Sequence, residues 1–255
     1  MQEFAGLDRQ QWHARYLVQA GWTDFIRQHI LRKINPHNDA RLLEVGCGTG
    51  AILGSLLDQG FSNLTGVDLD APSLSFARTS SHAFSLIRAN GHLLPIHRDK
   101  FDLSLCHYLL MWVQSPAQIL REMTRVTKPG GWVIALAEPD HQARIDYPPP
   151  LDELGRHQTR SLNNQGVDVQ MGRKLRALFH EIGLDAIETG LLGAEWEGEN
   201  TLPGEETEWR MLQSDLKSSL TTSMLESFKL ADRRAKESGT RILFIPTFYT
   251  LGRVP

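Results

Sequence analysis

Glu44-Val45-Gly46-Cys47-Gly48-Thr49-Gly50 lies between two apolar runs, and its reading decides the fold. Before it, Leu42-Leu43-Glu44-Val45 reads as a short buried strand. After it, Ala51-Ile52-Leu53-Gly54-Ser55-Leu56-Leu57 reads as a helix. Glycines at 46, 48 and 50 permit positive φ and, lacking Cβ, let a bound molecule approach the backbone. The turn also aims the unpaired N–H groups of a helix N-terminus at that molecule. The stretch is a strand–glycine loop–helix nucleotide site.

Two nucleotides compete for it. Gly46, Gly48 and Ala51 satisfy the loose dinucleotide pattern G-x-G-x-x-G/A, and Asp68 follows at about the 20-residue spacing of a ribose-binding acid. Glu44 argues against a dinucleotide, because an anion at the strand's end repels a pyrophosphate and attracts an ammonium group. S-adenosylmethionine has such an ammonium and no phosphate, and its carboxylate can use the helix N-terminal N–H groups. Asn63-Leu64-Thr65-Gly66-Val67-Asp68-Leu69-Asp70 reads as a second strand ending in an acid. Asp68 can accept both ribose hydroxyls, through charged hydrogen bonds worth about 1.5–3 kcal/mol each.

Three more stretches follow in order. They are Arg88-Ala89-Asn90-Gly91-His92-Leu93-Leu94-Pro95-Ile96, Lys100-Phe101-Asp102-Leu103-Ser104-Leu105-Cys106-His107, and the run from Leu120 through Lys128-Pro129-Gly130-Gly131-Trp132 to Ile134. With the first two, at these spacings, the chain resembles the class I S-adenosylmethionine-dependent methyltransferases. Within them it is similar to the broad group that includes quinone-biosynthesis C-methyltransferases and many small-molecule methyltransferases. The likeness is tight over residues 40–140 and loose outside them. It implies an α/β fold: a Rossmann-like, seven-stranded doubly wound sheet, last strand antiparallel and next to the sixth, with a helical N-terminal cap and lid insertions. It also implies S-adenosylmethionine as cofactor and S-adenosylhomocysteine as product. The residues it assigns to the cofactor are Glu44, Gly46, Cys47, Gly48, Gly50, Asp68, Leu69, Asn90, Gly91 and His107, with Tyr16 from the N-terminal helices. Asn90 stands where the family usually has Asp against the adenine amino group, and its carbonyl is still an acceptor.

The organisation expected is one methyltransferase domain over residues 1–255. Residues 1–40 form the cap, 41–137 the cofactor core, 138–170 and 192–240 the substrate and lid segments, and 241–255 the last strand. Residues 8–34 read as two helical pieces. Asp8 and Gln11 make a capping box in the first, and Phe25, Ile26, Ile30 and Ile34 form an apolar stripe in the second. Strands are expected near 42–46, 63–68, 84–88, 102–106, 132–137, 184–191 and 241–251. Helices are expected near 50–59, 71–79, 115–127 and 171–182, with two more in the second lid segment.

Composition removes several classes. The net charge of −3 disfavours a protein that tracks nucleic-acid phosphates. The two cysteines, Cys47 and Cys106, lack metal-ligand spacing and read as small buried hydrophobes, so no metal is expected. No apolar run has the length of a membrane span, and the N-terminus lacks a signal pattern, so a cytoplasmic location is expected. Oligomeric state is not readable.

Ligands of an open α/β sheet bind outside the carboxyl ends of its strands. That rule nominates Tyr108, Trp112, Glu138, His141, Arg144 and Tyr147 for substrate, with Trp196 and Trp209 from the lid. Each has a second reading. Tyr108 and Trp112 suit packing, Glu138 a loop cap, His141 a solvated loop, and Arg144 a pair with Asp140 or Asp146. His107, directly after the fourth strand, is the candidate general base, or else a histidine hydrogen-bonded at a strand end. A base is needed only if the nucleophile arrives protonated. The function expected is in-line methyl transfer to a small, uncharged or weakly charged acceptor. The alternatives are a catalytically inactive cofactor-binding partner protein and an NAD-dependent oxidoreductase. A motif for amino-nitrogen methylation is absent after strand four, where the chain reads Cys106-His107-Tyr108-Leu109.

Overall fold

The computed structural model describes residues 7–81, 83–192, 205–217 and 219–255. Two helices, α1 (Arg9–Trp22) and α2 (Asp24–Ile34), precede the sheet. The first opens on the expected capping box: Gln11 N–H donates to Asp8 Oδ1 at 2.8 Å and Asp8 N–H to Gln11 Oε1 at 3.0 Å. Strand and helix then alternate through β1 (Arg41–Val45), α3 (Ala51–Asp58), β2 (Asn63–Asp68), α4 (Ala71–Ser80), β3 (Phe84–Arg88), β4 (Phe101–Cys106), α5 (Pro116–Val126) and β5 (Thr127–Pro139). The remainder comprises β6 (Ile145–Tyr147), α6 (Leu151–Asn164), α7 (Met171–Glu181), β7 (Asp185–Leu191), α8 (Glu205–Leu216), α9 (Thr222–Glu237), β8 (Ile242–Phe244) and β9 (Thr247–Arg253).

The main sheet has seven strands in the order β3-β2-β1-β4-β5-β9-β7. Strands β1 to β5 pair in parallel, and β9 runs antiparallel between β5 and β7. This is the doubly wound sheet expected, last strand reversed. Successive residues of a strand face opposite sides, so a parallel sheet covered on both faces needs consecutive apolar residues. Leu42 and Leu43 show this: both are fully buried, in different core clusters. One face packs Leu43 and Val45 with Ile119, Met123, Leu175 and Phe179 from α5 and α7. The other packs Leu42 with Ile30, Leu53 and Leu56 from α2 and α3.

Chain order reverses between β1 and β4, which places a crevice at their carboxyl ends. Over that end lies a cap with its own core. Leu151 and Leu154 of α6 bury against Trp209 and Leu216 of α8 and against Leu225 and Phe228 of α9. Beside them β6 and β8 form a separate two-stranded ribbon.

Four details differ from expectation. The strand expected over 241–251 is two strands, β8 in the cap ribbon and β9 in the main sheet, parted at Ile245-Pro246; proline has no N–H for a ladder. Helix α6 was hidden behind Pro148-Pro149-Pro150. Strand β5 starts five residues earlier than expected, at Thr127 rather than 132. Phe25 is 77% exposed, while Ile26, Ile30 and Leu31 are buried, so the buried stripe of α2 does not include it. Cys47 and Cys106 are free and buried, as small hydrophobes. Among the described residues no helix is long and apolar enough to cross a membrane.

Candidate active site

The glycine loop is pinned to the neighbouring strand. The N–H groups of Gly46 and Cys47 both donate to the Val67 carbonyl, at 2.7 and 3.1 Å. Gly46 has φ +78°, which strains any residue with a Cβ, and a Cβ there would fall 2.8 Å from the Leu109 side chain, which would have to move. Asp68, at the end of β2, accepts from Gly48 N–H at 2.7 Å and from Asp70 N–H at 2.8 Å, on different oxygens. Each oxygen keeps a second lone pair. Leu69 beside it is exposed. Asn90 spends its side-chain carbonyl on a turn: it accepts from His92 N–H at 3.0 Å and lies 2.9 Å from His92 Nδ1. Its amide N–H groups, rather than the carbonyl, are what it has left to offer an adenine. Gly91 packs under it against Val45 and Ile119.

Glu44 is 2% exposed at the end of β1. The Leu53 N–H in the first turn of α3 acts to lower its pKa, and among the described residues nothing donates to its buried Oε2. Burial pushes its carboxyl up to about 8, and the charge of Asp68 adds to the rise, against the opposing Arg27. A buried acid with an empty acceptor calls for a cation.

Helix α1 lies along this loop. Arg9 bonds Asp70 at 3.1 Å and Ser73 at 3.0 Å, His13 Nδ1 meets Thr49 Oγ1 at 2.8 Å, and the Tyr16 ring comes within 3.7 Å of where a Gly48 Cβ would stand. Tyr16 therefore stands against the loop. Arg15, on another side of the helix, pairs with Glu208 of α8 at 2.8 and 3.2 Å.

His107 follows β4 and reaches the joint between α1 and α2, where its Nε2 lies 3.1 Å from Thr23 Oγ1. Burial, with the Arg27 charge, pushes its imidazole down to about 3. Efficient general bases have pKa values near the working pH. A ring so weakly basic favours the other reading of His107, a histidine hydrogen-bonded at a strand end.

Glu138, fully buried at the end of β5, accepts from the N–H groups of Leu109, Leu110 and Met111 at 2.9, 2.7 and 3.0 Å. It shapes the loop after β4, which is the second of its two readings. Burial still raises its carboxyl to about 7 against those bonds. Tyr108 lies in that loop at φ +50°, its ring edge-on to His107 at 4.7 Å between centroids. Trp112 is 52% exposed on the same loop.

The other substrate nominees divide. Arg144 is committed to Asp146 at 2.6 Å and to Gln158 at 2.6 Å, so it is an internal tie of the cap and not a free carboxylate binder. Trp209 is 6% exposed in the cap core, a packing residue rather than a substrate wall. Tyr147 is half-exposed on the ribbon. His141 has a buried Nδ1 to which, among the described residues, nothing bonds, and burial with the Arg144 charge lowers its pKa to about 4. Trp196 lies outside the described residues. Among those residues no group of three or more His, Cys, Asp or Glu is placed to hold a metal ion.

Sequence reasoning missed Thr23, Arg27, His13 and Arg9. Arg27 left a signal: a charge one residue from Ile26 and three from Ile30, on the face that α2 buries.

Residues 43–135 match the family model described as "Methyltransferase domain". A ubiquinone biosynthesis O-methyltransferase of Hydrogenovibrio crunogenus is 32% identical over 114 residues, 42% of this chain and 46% of that protein. A malonyl-[acyl-carrier protein] O-methyltransferase of Pseudescherichia vulneris is 31% identical over 41% of each chain. The chain thus spans under half the length of these relatives. In fold it is similar to the YcgJ protein of Bacillus subtilis, with a TM-score of 0.56 and 16% identity over 89% of this chain and 96% of that one. Loop, acid pair, sheet order and these matches agree: residues 43–135 form a methyltransferase domain of the class I, S-adenosylmethionine-dependent family.

Proposed function

We propose that the protein transfers a methyl group from S-adenosylmethionine to an oxygen of a small-molecule acceptor. The observation that carries the cofactor is Glu44 Oε2, buried and empty beside a glycine loop. Glu44 takes the ammonium, the N–H groups opening α3 take the carboxylate, and Asp68 takes the ribose hydroxyls beside the exposed Leu69. A pyrophosphate would meet the Glu44 carboxyl here, which is why the NAD reading falls behind. The cofactor's sulfonium makes its methyl group electrophilic. The chain's own task is to hold the acceptor in line and exclude water, and α1, the loop after β4 and the cap surround that space.

The weak basicity of His107 narrows the acceptor. An oxygen acidic enough to reach the site already ionised, a carboxylate or an acidic phenol or enol, needs no strong base from the protein. The O-methyltransferase relatives are compatible with that choice. The test is transfer of label from methyl-labelled S-adenosylmethionine to small molecules of a cell extract. Time-dependent label in a methyl ester or methyl ether, in which the acidic oxygen of the acceptor is capped, with S-adenosylhomocysteine released, is the expected result. Cofactor binding with no labelled product in any fraction favours the inactive-partner reading instead.

A further inference from the structure

Thr23 is fully buried where α1 meets α2, and its hydroxyl touches three groups. Arg27 Nη1 donates to Oγ1 at 3.1 Å, the Ala20 carbonyl lies at 3.1 Å, and His107 Nε2 at 3.1 Å. A hydroxyl has one hydrogen to give and two lone pairs that accept. The arginine fills one lone pair, so the hydrogen goes either to Ala20 or to His107.

Two facts decide between them. The Ala20 oxygen already accepts from the Thr23 N–H at 3.3 Å and from Arg27 Nη1 at 3.2 Å, and a carbonyl has only two lone pairs. The guanidinium is also permanently charged, and hydrogen bonds in a chain polarise one another in one direction. Arg27 is itself fixed, through Asp24 Oδ1 and Ser55 Oγ, both at 2.7 Å.

We propose that Arg27 and Thr23 are positioning residues, forming a one-way donor chain that ends on His107 Nε2 and holds His107 as the neutral Nδ1–H tautomer. The hydrogen bond at one ring nitrogen sets the proton on the other. His107 then meets a ligand as a hydrogen-bond donor to an oxygen lone pair, not as a proton acceptor. The groups around it agree. Arg27 on α2 opposes an imidazolium. Glu44 on β1 and Glu138 on β5 are buried acids whose carboxyls are raised to about 8 and about 7, and the Tyr108 phenol is raised to about 12. None of these holds a full negative charge against the ring at neutral pH.

The use of the donor in methyl transfer rests on the proposed function; the tautomer does not, so the two fail separately. The experiment is nitrogen-15 NMR of the histidine side chains in the full-length protein, with His107 assigned by loss of its signals in His107→Asn. The expected spectrum has Nδ1 protonated and Nε2 unprotonated, unchanged between about pH 5 and 8. Thr23→Ser keeps that pattern, since it keeps the hydroxyl. Thr23→Val removes it and moves the proton toward Nε2. A wild-type ring protonated on Nε2, a titration within that range, or a Thr23→Val spectrum identical to wild type would each overturn the proposal.

Discussion

Glu44 carries its carboxyl where water does not reach and one oxygen meets no donor among the described residues. With its pKa raised from 4.5 to about 8, the native state holds a proton that the unfolded chain releases. The sign follows: this stabilisation is fully present below pH 4.5 and is lost as pH rises through about 8. Glu44→Gln, which cannot titrate, should therefore gain on wild type in melting temperature as the cofactor-free proteins are compared from acid to mildly alkaline pH. The same variant should bind S-adenosylhomocysteine about ten- to a hundredfold more weakly, the loss of one charged hydrogen bond of about 1.5–3 kcal/mol. A pH-independent gap between the two melting curves would mean that Glu44 is not the titrating group. Asp68→Ala should weaken the same ligand by a similar factor while the fold persists, and unchanged affinity by calorimetry would remove Asp68 from the site. These residues were legible because spacing to a strand end and a glycine loop identifies them. Thr23 and Arg27 were not, because their importance arises only when α2 meets the end of β4, far away in sequence.

At the scale of elements, the cap is the part the sequence hid. Its core residues, Leu151, Leu154, Trp209 and Phe228, come from segments flanking the last strands, and no local period shows that they meet. Trp209 was nominated for substrate, and Arg144 was left between a substrate carboxylate and a pair with Asp146, for that reason, since an aromatic and a cation near a site look alike whether they line a cavity or fill a second core. What ties the cap together is charge. Asp146 of β6 is bonded by Arg144 at 2.6 Å and by Arg241 at 2.9 Å, and Arg241 also holds Asp232 of α9 at 2.7 Å. Removing one member of a buried ionic group typically costs about 3–5 kcal/mol, because the partner charge is left unpaired. Asp146→Ala should therefore loosen β6, β8 and α9 selectively. Hydrogen exchange should show their amides losing protection while β1 and β4 keep theirs; an even loss across both sheets would show that the cap has no separate stability. Strands β1 to β4 and β7, by contrast, were legible to within a residue, because a sheet buried on both faces must be written in apolar runs between turn residues, while the start of β5 and the split between β8 and β9 were not.

Across the whole molecule, α1 joins the two parts. Arg9, His13 and Tyr16 touch the cofactor loop and α4, and Arg15 holds α8 of the cap through Glu208. A ligand seated under α1 should then order both of its neighbours. Hydrogen exchange in α1, α2 and α8 should slow on binding S-adenosylmethionine, and slow further with acceptor, more than in the strands. Equal exchange with and without ligand would leave these helices as fixed covering. The central claim is narrower: that Glu44, the glycine loop and Asp68 form a cradle for the amino-acid and ribose ends of S-adenosylmethionine. It is tested most directly by calorimetric titration near neutral pH in two buffers of different ionisation heat. Binding an ammonium at Glu44 lowers its pKa, so S-adenosylhomocysteine should saturate at one molecule per chain and release a proton in wild type but not in Glu44→Gln, while NAD gives no heat. Binding of NAD with none of S-adenosylhomocysteine, or proton release that persists in Glu44→Gln, would contradict the account.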